Sequence, residues 1–317
     1  MKNIYTGKTD PRTFKEAASS TIARLAENDP DVIYLDADVM SCLGTLNWAR
    51  SHPDRAINCG IAEANMVGIA SGMAAVGFKP IIHSFGPFVS RRVFDQIFLS
   101  AGYARNAITV IGSDPGVTAA YNGGTHMPFE DLAMYRAIPE ATVFDIADPN
   151  MLESVLEQCV DMPGVKYVRT PRKQAATLYE RGTKMPIGKA ITLREGTDAV
   201  VFASGIMVHE AMQAAIALEK EGISVMVVNI FTIKPIDVEG VLAACEGKKA
   251  IVTAENHNRY GGLYSSICEV IAGKVAVPVG RVAVEDRFGE VGTMQYLQSV
   301  FGLTSDHIIS EIKNLLK

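Results

Sequence analysis

A single carboxylate opens a run of small residues at Gly60-Ile61-Ala62-Glu63-Ala64-Asn65-Met66-Val67-Gly68-Ile69-Ala70-Ser71-Gly72-Met73-Ala74. A helix beginning at Glu63 carries little side-chain bulk and admits another backbone or a flat ring. A carboxyl group buried there without a cationic partner keeps its proton toward neutrality and can share or donate it; the plainer reading of a glutamate at a helix start is a favourable dipole partner. Next comes Ser84-Phe85-Gly86-Pro87-Phe88-Val89-Ser90-Arg91-Arg92. Gly86 and Pro87 break regular structure just after an apolar run. Phenylalanines at the carboxyl end of a strand can stack on a ring, although two of them three apart are also an ordinary core pattern. His126, in Tyr121-Asn122-Gly123-Gly124-Thr125-His126-Met127-Pro128, offers an imidazole able to donate or accept near neutral pH. In Val168-Arg169-Thr170-Pro171-Arg172, a guanidinium suits phosphate or sulfonate oxygens. Either arginine could be that clamp.

These residues need a scaffold, and the pattern supplies one. Val32-Ile33-Tyr34-Leu35, Pro80-Ile81-Ile82, Ile108-Thr109-Val110-Ile111 and Thr142-Val143-Phe144 are short, largely β-branched runs expected as buried strands. Helical patterns separate them at 14–27, 63–75, 89–104 and 149–160. Strand-helix alternation of this kind implies a parallel sheet covered on both faces. Between Thr170 and Thr197 the pattern weakens into prolines, glycines and charges, expected as an interdomain linker. Alternation then resumes with strands at 199–203, 224–228 and 250–253, a helix at 208–221 ended by Gly222, and a last helix capped by Thr304 or Ser305. The expected fold is α/β with two parallel-sheet domains: residues 1–180, with a linker from about 170, and residues 190–317.

At 317 residues, two domains are natural. Hydrophobic content of 48% and charged content of 21% describe an ordinary soluble protein with ample core. The net charge of −5 and the lack of a dense basic run argue against nucleic acid or an anionic membrane as partner. Met1-Lys2-Asn3-Ile4-Tyr5-Thr6-Gly7 lacks a signal-peptide core, and no apolar run reaches transmembrane length. The five cysteines are scattered and odd in number, which suggests neither a disulfide framework nor a zinc site. A cytoplasmic location is expected, with no protein-held metal site.

The Glu63 helix, followed by the Phe-Gly-Pro-Phe turn, resembles the pyrimidine-binding domain of thiamine diphosphate enzymes of the transketolase family. The Thr-His-Met loop followed by Phe129-Glu130-Asp131-Leu132 and Arg136-Ala137-Ile138-Pro139 is similar to transketolase rather than to the 2-oxo acid dehydrogenase β subunit. Thr232-Ile233-Lys234-Pro235-Ile236-Asp237 and Glu255-Asn256-His257 resemble the family's C-terminal domain. No Gly-Asp-Gly with a following Asn-rich segment occurs, so the resemblance, from about Phe14 to Leu316, is to the second half of an enzyme.

The resemblance implies thiamine diphosphate with Mg2+, the metal and diphosphate held mainly by an N-terminal partner subunit in an α2β2 assembly. It implies transfer of a two-carbon ketol unit from a ketose to an aldose. Glu63 would hydrogen-bond the cofactor's aminopyrimidine and set its tautomer, Phe85 and Phe88 would contact that ring, and Asp38 would lie near the thiazolium. His126 and Asn122 would meet the substrate, with Arg172 and Arg91 on a phosphate or other anionic tail. Glu255 and His257 would be structural, and the C-terminal domain would make homodimer contacts. Asn122 stands where transketolases usually carry an aspartate, Met127 replaces a glutamine, and Ser113-Asp114-Pro115 lacks the expected histidine, which points to a different substrate preference. Arg91 matches an arginine of deoxyxylulose phosphate synthases. That chemistry, an oxo acid dehydrogenase-like reaction, and a non-catalytic scaffold are the alternatives.

Overall fold

A computed structural model describes residues 4–317; residues 1–3, part of the segment read for a signal peptide, lie outside the described residues. Two compact units emerge, one running to Pro115 and adding Met134–Met185, the other formed by Gly116–Ala133 and Pro186–Lys317. The segment carrying Asn122 and His126, read from sequence within residues 1–180, therefore clusters with the second unit.

In the first unit six strands run parallel: β1 (Val32–Asp36), β2 (Ala56–Asn58), β3 (Lys79–Phe85), β4 (Ile108–Ser113), β5 (Thr142–Asp145) and β6 (Val165–Thr170). Their order is β5-β6-β4-β3-β1-β2. β1, β4, β5 and β6 are buried along their whole length, as expected of strands covered on both faces. Helix Phe14–Asn28 starts with a reciprocal capping box between Thr13 and Glu16, and helix Pro149–Cys159 with Asp148 as cap and proline in its first turn. Helix Glu63–Ala75 has no side-chain cap, and Glu63 provides the acidic group of its first turn.

Two stretches depart from expectation. The helix anticipated over 89–104 is a 3-10 turn at Arg91–Val93, a short α segment at Phe94–Gln96 and a π-helix at Ile97–Tyr103. Its start is delayed because Ser90, at φ −114 and ψ −87, ties its hydroxyl to the Gly86 carbonyl at 2.7 Å. Within the stretch expected as linker, Ile191–Arg194 forms a strand, β7, whose Ile191 and Leu193 point inward at period two.

The second unit continues with β8 (Ala199–Ala203), β9 (Val225–Asn229), the short β10 (Thr232–Lys234), β11 (Ala250–Asn258) and β12 (Val279–Val284). Its five-stranded sheet has the order β12-β11-β8-β9-β7. That sheet is parallel except for β7, which pairs antiparallel with β9. Both units are thus mostly parallel α/β layers. Among the described residues no helix is long and apolar enough to cross a membrane.

One packing chain matters for the site. Gly112 leaves room on β4 for Tyr167, whose ring lies 3.8 Å from that of Tyr135 and nearly parallel to it. The Tyr135 hydroxyl in turn donates to the carbonyl of Val89, next to Phe88. A methyl on Gly112 would stand 2.4 Å from the Tyr167 oxygen, with both groups buried. Gly112→Ala is therefore expected to destabilise the protein by about 1–3 kcal/mol, the usual cost of overpacking, read as a lowered urea midpoint.

Candidate functional site

Sheet register decides which side chains meet. Asp36 stands opposite His83, Phe85 opposite Ser113, and Ser113 opposite Thr170. The carboxyl ends of β1, β3, β4 and β6 therefore lie side by side. β1 pairs with both β2 and β3, so the winding reverses there, and the crevice outside such strand ends is where open α/β sheets bind ligands.

Glu63 is 3% exposed, and the Arg92 guanidinium donates from Nη1 to both carboxylate oxygens at 2.8 and 2.9 Å. The sequence alone suggests a carboxyl group buried without a cationic partner. The structure corrects that, because a buried carboxylate left unpaired is costly and the neighbouring turn offers a cation. Arg92 also lies over the Phe88 ring, 4.0 Å from its centre. Phe88 meets Phe85 edge-on at 6.2 Å. Along the helix, a methyl placed on Gly68 or Gly72 would meet nothing within 4 Å, so the small-residue face is open. Arg91 is exposed.

Phe85 has its own arginine. The Arg172 guanidinium lies 5.1 Å from that ring and grips Asp114 through two nitrogens, Nε reaching Oδ1 at 2.8 Å. Burial works against the Arg172 charge, but the hydrogen bond and charge of Asp114 outweigh it and raise its pKa. Asp114 is itself buried and held at φ 58, in the left-handed region. Arg169, the alternative clamp, is fully buried in β6 with Nη1 3.3 Å from Asp145.

Beneath these groups runs a network absent from the sequence reading. Asp36 accepts from the Tyr34 hydroxyl at 2.6 Å and from the Val39 amide at 2.5 Å, and lies 2.7 Å from His83 Nδ1. His83 Nε2 is 3.0 Å from the Ser113 hydroxyl, and all four side chains are buried. Burial, then the Asp36 charge and hydrogen bond, push the Tyr34 phenol well above its ordinary range. Burial and Asp36 likewise raise the Cys59 thiol. The network fixes the turn that sets Asp38 at φ 65, exposed, where it accepts from Asn58 Nδ2 at 2.8 Å. Asn58 Oδ1 accepts from the Gly60 amide at 2.9 Å, just before the Glu63 helix. Glu63, Phe88, Phe85 and Arg172 thus form one contact chain in the first unit, joined to Asp38 by the backbone leading into the helix. The only sequence hint of the network was a polar histidine inside an apolar strand.

Asn122 and His126 sit in the second unit, Asn122 exposed and His126 half-buried with Nδ1 2.9 Å from the Thr125 hydroxyl. Their loop rests on the body of that unit. Asn256 Oδ1 accepts from the Val117 amide at 3.1 Å, and the Asn258 amide donates to the Phe129 carbonyl at 2.8 Å. Gly124 and Gly289 meet backbone to backbone: a methyl on Gly124 would lie 2.5 Å from the Gly289 carbonyl. Glu255 accepts from the amides of Leu263 and Tyr264 at 2.6 and 2.8 Å, capping a helix start.

Residues 10–177 match the transketolase pyrimidine-binding domain and residues 188–308 the transketolase C-terminal domain. The chain is 41% identical over 309 residues to the 6-deoxy-6-sulfo-D-fructose transketolase subunit SqwH of Clostridium sp. (strain MSTE9), covering 98% of this chain and 96% of that one. It is 34% identical to the transketolase of Rattus norvegicus over 95% of this chain but 49% of that enzyme, so it spans about half of such a full-length relative. A solved split-gene transketolase, an inactive β4 tetramer, superimposes with a TM-score of 0.87 at 31% identity, covering 96% of this chain and 98% of that one.

The contact between Gly289 and the His126 loop has a measurable consequence. A methyl on Gly289 would meet the Met127 sulfur at 2.6 Å and the Gly124 Cα at 2.9 Å. Gly289→Ala is expected to displace residues 123–127 at a cost of about 1–3 kcal/mol, with faster amide hydrogen exchange in 116–127 and unchanged exchange in β1 and β3.

Proposed function

The chain belongs to the transketolase family of thiamine-dependent ketol transferases, and we propose that it is the pyrimidine-binding subunit of a two-chain transketolase. One observation carries the reading: a buried carboxylate, Glu63, at the start of a helix and joined through one planar cation to the face of Phe88. A hydrogen-bonding anion and an aromatic face that a single flat group bridges are what an aminopyrimidine needs, so the residues fit thiamine diphosphate. When bound, that cofactor supplies the nucleophilic carbon and electron sink for the two-carbon transfer.

Glu63 then holds the ring nitrogen and exchanges a proton at its carboxylate oxygen, while Phe88, backed by Phe85, fixes the ring plane. Asp38, oriented by Asn58 and the Asp36 network, would lie near the thiazolium of the bound cofactor. Arg172, with Arg91, takes the anionic tail of the substrate, Asn122 meets a sugar hydroxyl, and His126 orients the oxygens at the reacting carbonyl. A partner subunit holds Mg2+ and the diphosphate in an α2β2 assembly whose homodimer contacts run through residues 190–317. The setting is cytoplasmic carbohydrate metabolism.

Asp114 refines the substrate class. It pairs with Arg172 through two nitrogens and leaves that clamp with little net charge. Such a clamp suits a sulfonate monoanion better than a phosphate dianion, and the relative named for 6-deoxy-6-sulfofructose makes that ketose the first donor to try. In the assembled complex, kcat/KM for 6-deoxy-6-sulfofructose should exceed that for fructose 6-phosphate. The reverse order would move the assignment to a sugar-phosphate transketolase. Glu63→Gln should lower kcat by roughly 10²–10⁴-fold, the usual worth of a positioned acid-base group. Arg172→Ala should chiefly raise KM. Unchanged turnover in Glu63→Ala would favour the scaffold.

A further inference from the structure

Arg92 is the residue of this site that the family resemblance assigned no role. It follows Arg91 in one short 3-10 turn, and although both are exposed, Arg92 turns its guanidinium onto Glu63. Among the described residues its guanidinium meets two groups, the Glu63 carboxylate at 2.8 and 2.9 Å and the Phe88 ring at 4.0 Å. Those are the two groups proposed above to hold the cofactor's ring. A guanidinium is planar, presents N–H donors at its edge and stacks on aromatic faces. An aminopyrimidine shares all three properties.

We propose that Arg92 is a resident competitor for the pyrimidine seat: it holds Glu63 and Phe88 in the free subunit and yields both when the cofactor enters. The inference rests on the assignment of Glu63 and Phe88 to that ring. Three features make the exchange workable. The Arg92 side chain is 46% exposed, so its charge stays near water and has a route outward. Both contacts belong to one side chain, so a single rotation frees carboxylate and ring together. Glu63, buried as it is, remains paired before and after, first by a guanidinium and then by the ring. Binding therefore replaces one flat donor by another, and the free subunit keeps its carboxylate satisfied without a preformed void.

The test compares wild type, Arg92→Ala, Arg92→Lys and Glu63→Ala, each assembled with the diphosphate-binding subunit and titrated with thiamine diphosphate and Mg2+ by calorimetry. Removing a half-exposed ion pair and its cation-π contact should tighten binding several-fold, up to about tenfold. Lysine, charged but not planar, should fall between. The unloaded Arg92→Ala chain should melt below wild type, and the gap should close when the cofactor is present. Separately, side-chain 13C NMR of labelled arginine, with Arg92 assigned through Arg92→Lys, should show a ring-current shift in the free chain that disappears on loading. Equal or weaker binding by Arg92→Ala, with wild type binding and Glu63→Ala not, would overturn the competitor and leave the proposed function standing. A wild-type complex that does not bind, or a Glu63→Ala complex that binds as well as wild type, would overturn both.

Discussion

A carboxylate buried at the start of a helix must be paired, and the site depends on how this chain meets that requirement. Glu63 lies under the turn that follows β3, at 3% exposure, and Arg92 of the same turn answers its charge. The pair draws the Phe-Gly-Pro-Phe turn down over the helix and aligns Phe88 with the carboxylate. Gly68 and Gly72 leave the outer face of the same helix, turned away from Glu63, open. The ionic contact therefore sets how Glu63 and Phe88 stand to each other, the pair proposed above to hold a ring.

Around this pair, parallel register delivers the rest. The ends of β1, β3, β4 and β6 bring Asp36, Phe85, Asp114 and Arg172 to one edge, with a buried Tyr34–Asp36–His83–Ser113 network beneath. Each phenylalanine of the turn carries an arginine, and each arginine is held by a buried carboxylate: Arg92 by Glu63, Arg172 by Asp114. In the proposed site one of these arginines stands on the ring side and the other on the tail side. His126 belongs to the second unit, on a loop seated against Gly289 and Asn256 of that same unit.

Local patterns were readable in the sequence. β-branched runs between helical stretches announced two α/β layers, and a lone glutamate and a Phe-Gly-Pro-Phe turn singled out two segments that the structure brings into contact. Features set by long-range pairing were not readable. Two adjacent arginines look alike in sequence, and only the turn decides that it is the Arg92 guanidinium that reaches Glu63. Asp114 partners Arg172 because β4 and β6 are neighbours, although 58 positions separate the two residues. The π-helix at Ile97–Tyr103 and the edge strand at Ile191–Arg194 reflect tertiary packing that overrides local preference.

The central claim is that this chain contributes the ring-binding half of a site completed by a second subunit. Calorimetric titration of thiamine diphosphate with Mg2+ tests it most directly, first on the chain alone and then on the chain mixed with a diphosphate-binding subunit from the same genome. The account predicts binding in the mixture and none to the chain alone. A confirmed complex that takes up no cofactor would contradict it, as would full-strength binding to the isolated chain.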